Sequence, residues 1–108
     1  MACYLVQASY TSEALATLVK KPQDRTGVIR STVAKLGGTV VGQWGSVGEH
    51  EVVLIVDMPD TVSAVAFKLA AFAGGALRGG IITPLFTTDE GMAAAKKAGG
   101  AGYKPPKG

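Results

Sequence analysis

The chain has 108 residues, enough for one domain and too few for two. Apolar residues make up 47% against 18% charged, which excludes wholesale disorder, and no apolar run approaches the roughly 18–20 residues of a membrane span. The single cysteine, Cys3, excludes a disulfide within the chain, and the net charge of +3 sits at one end: residues 96–108 hold Lys96, Lys97, Lys104 and Lys107 and no acid.

Taken in chain order, residues 3–10 (CYLVQASY) alternate as a strand should, with Tyr4, Val6, Ala8 and Tyr10 on one face and Gln7 and Ser9 on the other. Thr11 or Ser12 then caps a short helix carrying Leu15, Leu18 and Val19, which Pro22 breaks and restarts. Val28 or Ile29, Val33 and Leu36 continue at helical spacing until Gly37-Gly38. Residues 39–44 and 51–57 form a hairpin turned by Gly45-Ser46-Val47-Gly48. Asp60 or Thr61 caps a helix predicted to bury Val62, Val65, Ala66, Leu69 and Phe72 or Ala73. Gly74 to Gly80 (GGALRGG) reads as a flexible connector, and 81–87 as a strand whose Pro84 belongs on a sheet edge. Thr87-x-x-Glu90 is a capping box opening a thin helix over 88–98.

This order, βαββαβ plus a short C-terminal helix, points to an α+β ferredoxin-like sandwich: a four-stranded antiparallel sheet with two helices on one face. Residues 1–98 would form the domain and 99–108 a flexible Gly/Lys/Pro tail. The body without the last 13 residues is near neutral, with seven basic against eight acidic side chains, which argues against nucleic acid as a partner. A polyanion-binding role for the lysine-bearing tail is the weakest reading. With no leader-like or membrane-spanning segment, the expected setting is cytoplasmic and away from membranes.

The third strand carries the most informative pattern. Val52, Leu54 and Val56 point one way while Val53 and Ile55 point the other, so the strand is apolar on both faces. An antiparallel sheet with one wet face alternates apolar and polar residues instead. The second face therefore needs a cover, either the last helix or another subunit, and the sequence favours a homo-oligomer. Gln7 and Ser9 temper the apolar character of that face.

Tyr10-Thr11 opens the first helix, Lys21-Pro22 breaks it, and Leu36-Gly37-Gly38 leads into strand two. Gly48-Glu49-His50-Glu51 precedes strand three, Pro59-Asp60 follows it, and Arg78 stands ahead of strand four. In the order and spacing of these motifs the chain resembles, over about residues 4–95, the GYD family of small ferredoxin-like proteins. His50 stands where the signature tyrosine is expected, Glu51 replaces the aspartate, and Gly79 follows Arg78 in place of a threonine. The resemblance implies fold and oligomer rather than a reaction. Relatives by fold, the dimeric α/β-barrel proteins, include cofactor-free monooxygenases, dehalogenases and binding modules, a kinship of architecture alone.

Four residues are candidates for a site. His50, the only histidine, could act as a general base beside Glu51, and Trp44 could line a ligand pocket with Arg78 gripping an anion. Strand alternation counts against His50 and Glu51 acting side by side without a bulge. The glycine run around Arg78 lacks the Lys-Ser/Thr pair and the following helix of a phosphate loop. Cys3 has no cationic neighbour to activate it, and no Gly-x-Ser-x-Gly elbow presents a serine to His50. One cysteine and one histidine leave only carboxylates to complete a zinc site, so neither metal nor cofactor is expected. The reading is an oligomeric module binding a small ligand or a protein partner. The alternative is a cofactor-independent enzyme with His50 as base and Arg78 or Glu51 orienting a small polar or anionic substrate.

Overall fold

The computed structural model describes residues 2–107. The elements run β1 (Ala2–Tyr10), α1 (Ser12–Lys20), α2 (Thr26–Lys35), β2 (Thr39–Gly45), β3 (Val52–Met58), α3 (Thr61–Ala73), β4 (Leu77–Leu85) and α4 (Thr88–Gly99). The four strands form one antiparallel sheet in the order β2-β3-β1-β4, the ferredoxin-like arrangement. Strands one and three lie in the middle, and Pro84 sits on the edge strand β4, opposite Tyr4.

The caps explain where the helices begin. Thr11 accepts from the Ala14 N–H, Asp60 from the Ser63 N–H at 2.7 Å, and Thr87 with Glu90 closes the reciprocal capping box. Pro22 does break the first helical segment, but the second helix starts four residues later. There the Asp24 carboxylate accepts from the Thr26 N–H at 2.9 Å and drives the turn into α2. The Thr26 hydroxyl and then its N–H favour the charged form of Asp24, and the Ser63 N–H and then its hydroxyl that of Asp60, so both carboxyls sit below the usual carboxylate range.

The core lies between the sheet and the helices α2 and α3. Tyr4 and Val6 from β1, Val40 from β2 and Leu54, Val56 and Met58 from β3 meet Val33 of α2 and Ala64 and Phe67 of α3. Two expectations fail here. In α3 the stripe facing the sheet is Ala64 and Phe67, while Val62 and Leu69 are 79% and 64% exposed and Val65 is exposed as well. The helix is apolar around most of its circumference, so periodicity could not choose its inner face; alanine lets its backbone approach the sheet and Phe67 fills the space. The stretch 74–80 is also no loose connector, because Leu77 to Gly80 pair with β1 as the start of β4. A Cβ at Gly80 would lie 2.7 Å from the Gln7 carbonyl oxygen and 3.0 Å from the Phe72 ring, so this glycine serves close approach rather than flexibility.

The face of the sheet away from α2 and α3 stays open. Leu5, Gln7, Val53 and Ile55 are half-buried there and Ile81 and Leu85 exposed. The last helix does not cover it: no residue of α4 is buried, and α4 packs substantially against no other element. The radius of gyration is accordingly 17.6 Å, against about 13 Å for a globule of this length. No helix among the described residues is long and apolar enough to cross a membrane.

Candidate functional site

Antiparallel pairing brings four strand ends together at one end of the sheet: the C-termini of β1 and β2 and the N-termini of β3 and β4. All four candidate residues arrive there. Trp44 pairs with Val53 near the end of β2, His50 and Glu51 immediately precede β3, and Arg78 falls in β4 at the register shift opposite Ser9 and Tyr10. Trp44 is 56% exposed, and its indole lies over Gly42, where any Cβ would collide with the ring.

The link from β2 to β3 is longer than a four-residue turn. Ser46 N–H donates to the Glu51 carbonyl at 3.0 Å, and the loop between them folds back on β1. Ser9 anchors it. Its hydroxyl, 1% exposed, donates to the Glu49 carbonyl at 2.7 Å and lies 2.8 Å from His50 Nδ1. A carbonyl oxygen only accepts and a serine has one proton, so Nδ1 must carry the hydrogen that closes the second contact. The neutral ring then presents its lone pair at Nε2. Ser9 is held as a structural pin whose proton is committed to Glu49, so it is no nucleophile activated by His50.

Glu51 works separately, its Oε1 accepting from the Tyr10 N–H at 3.2 Å. Adjacent residues outside the strand thus grip adjacent residues of β1, which removes the alternation problem without pairing the two side chains. Arg78 is exposed and makes no side-chain hydrogen bond or ion pair among the described residues. The sheet end gathers the candidates, but no hydrogen bond among the described residues links His50, Glu51 and Arg78 as a catalytic set.

Beside them lies a cavity of about 360 Å³ lined by Tyr10, Arg25, Gln43, Trp44 and Glu51 among others. It adjoins a larger apolar cavity of about 390 Å³ between the helices, the two sharing Tyr10, Arg25, Ile29 and Val52. Trp44 and Glu51 line the smaller space; His50 and Arg78 line neither. Sequence reasoning missed Ser9, Arg25, Gln43 and Lys68. Gln43 is buried at its Oε1 with no hydrogen-bond partner among the described residues, an acceptor beside the smaller cavity that its residue lines. Only the pairing of Ser9 with a loop some 40 positions distant could have singled it out, and no local pattern encodes that.

Cys3 pairs with Asp57 across β1 and β3 on the open face. Burial first, and then the Asp57 carboxylate, push its thiol above the ordinary value, the reverse of an activated nucleophile. Among the described residues no group of three or more His, Cys, Asp or Glu side chains is placed to hold a metal ion.

Strand order, helices on one face and an open second face together define a ferredoxin-like α+β module. The GYD domain model matches residues 4–95, and the chain belongs to that family. No curated protein matches the chain.

Proposed function

We propose that this GYD domain protein acts as a homo-oligomeric module that binds a small ligand, with a second copy covering the open face of the sheet. One observation carries the reading: Leu5, Val53 and Ile55 form an apolar band across the central strands, continued by Ile81, Leu85 and Trp44, and α4 leaves it uncovered. Fully removing such side chains from water stabilises by about 1.5–3 kcal/mol each, so the face gains most from a partner with the same apolar band. A self-complementary face of this kind suits the two-fold pairing commonest among homo-oligomers. Light-scattering mass measurements on the purified protein at micromolar concentration test it. A mass of two or more chains is expected; a monomer throughout the range removes the reading.

A catalytic role is the second reading, favoured by the fixed His50 tautomer. With Nδ1–H held by Ser9, Nε2 is the atom that would take a proton from a substrate, and Arg78 would orient an anionic group at the same sheet end. The two faces of this proposal separate cleanly, because His50→Ala would abolish turnover and leave the assembly intact.

A further inference from the structure

The larger cavity has a cause in the way the helices sit. Helix α2 packs on β2 while α3 packs on β3 and β4, and the two helices do not pack substantially on one another. A trench of about 390 Å³ remains over the middle of the sheet, a volume within the range of small-molecule sites. Its walls are apolar, with Ile29 from α2, Phe67 and Ala71 from α3, and Val52, Leu54 and Ile82 from the sheet.

Within the trench itself the charged lining is cationic: Arg25, at the N-terminal boundary of α2, and Lys68, on α3, both line it and no aspartate or glutamate does, whereas Asp24 and Glu51 line the adjoining smaller cavity that shares Arg25. Neither cation has an ion pair or side-chain hydrogen bond among the described residues; Lys68 lies 5.9 Å from the Phe72 ring centroid. Both side chains are exposed and stay hydrated beside a neutral apolar guest, whereas a cationic one would be repelled. An aliphatic or aromatic chain in the trench restores the dispersion contacts that its walls lack, and an anionic head beside Arg25 or Lys68 meets opposite charge.

We infer that the trench between α2 and α3 is a binding site for a small amphipathic anion, a carboxylate-headed apolar molecule held by Arg25 and Lys68. This rests on the ligand-binding half of the proposed function and is independent of how many copies assemble.

Calorimetric titration of the full chain with decanoate, and with decyltrimethylammonium as the cation of equal chain length, tests it below the concentrations at which either forms micelles. Decanoate should bind and decyltrimethylammonium should not. The double variant R25Q/K68Q, altered only at exposed side chains, should weaken decanoate about tenfold, as expected for losing charge-assisted contacts at a partly exposed site. Filling the trench with Ala71→Phe should abolish binding, and Ala70→Phe serves the same purpose should the first variant melt early. Equal binding of both amphiphiles, or of decanoate by wild type and R25Q/K68Q alike, overturns the proposal. So does absence of decanoate binding accompanied by a change of assembly mass in R25Q/K68Q, which would give the trench to a second copy. Mass measured in parallel separates the two claims: an oligomer that ignores decanoate ends this inference alone, and a monomer that binds it ends the oligomer alone.

Discussion

The two faces of the one sheet are built from the same strands, and β3 is apolar on both, yet they end in different states. On the helix side Leu54, Val56 and Met58 of β3 are 2%, 1% and 0% exposed; on the other side their chain neighbours Val53 and Ile55 are only half-covered. Backbone and propensity are common to both, so the difference lies wholly in what packs on top. A strand can announce from its own residues that both faces want burial, and only the rest of the molecule decides which face receives it.

The largest expected contrast is in stability. Leu54→Ala should cost about 2–5 kcal/mol in urea unfolding, since it opens a cavity in a closed core. Ile55→Ala, measured where the protein is dilute enough to be monomeric, should cost well under half as much, and its effect should grow with protein concentration as association adds to stability. Equal and concentration-independent losses would erase the distinction between the faces.

Next in size is the pin at the sheet end. Ser9→Ala leaves the Glu49 carbonyl and His50 Nδ1 without their partner and should destabilise by about 1–3 kcal/mol. In wild type, nitrogen-detected NMR of neutral His50 should show the proton on Nδ1, and in Ser9→Ala that preference should fade. A proton on Nε2 in the wild-type protein would contradict the assigned hydrogen bonds.

Smaller again is the behaviour of Cys3 on the open face. Because burial and Asp57 hold its thiol high, alkylation by iodoacetamide near pH 8 should be slower than for an unstructured cysteine peptide. Asp57→Asn removes the lesser cause and should accelerate the reaction about two- to threefold. A second copy over this face would protect Cys3 further as protein concentration rises.

The smallest effect expected is at the α3 cap. Asp60 is lowered because its charged form accepts the Ser63 N–H, so its contribution is present above the ordinary carboxylate value and lost as pH falls through the lowered one. Asp60→Ala should lower the melting temperature slightly at neutral pH, and the gap from wild type should close in strong acid. A gap unchanged by acid would place the cap's contribution elsewhere.

Most of the fold was legible in the residues. Caps at Thr11, Asp60 and Thr87, the break at Pro22, the period-two pattern of β1 and the unbroken apolar run of β3 are local signals, and each marks its element within a few positions. The misses share one physical origin. The inner face of α3, the early start of β4 and the pinning of the 46–51 loop by Ser9 depend on partners far along the chain, which a local pattern does not carry. GGALRGG looks loose because glycine is permissive, whereas Gly80 is needed for its lack of bulk beside Gln7 and Phe72. Of the candidate site, the four residues share one end of the sheet as topology required, but no sequence pattern singled out Arg25 and Lys68. The gap that gives them a role is a property of how two helices sit on a sheet.

The central claim is that the uncovered apolar face belongs against a second copy. The most direct measurement is the mass in solution of wild type and Ile55→Asp across a range of micromolar concentrations, with circular dichroism confirming that both are folded. The account predicts an oligomeric wild type and a folded, monomeric Ile55→Asp, because a charge placed in the middle of the band cannot be buried unpaired. An oligomer unchanged by that substitution, or a wild type monomeric at every concentration, would contradict it.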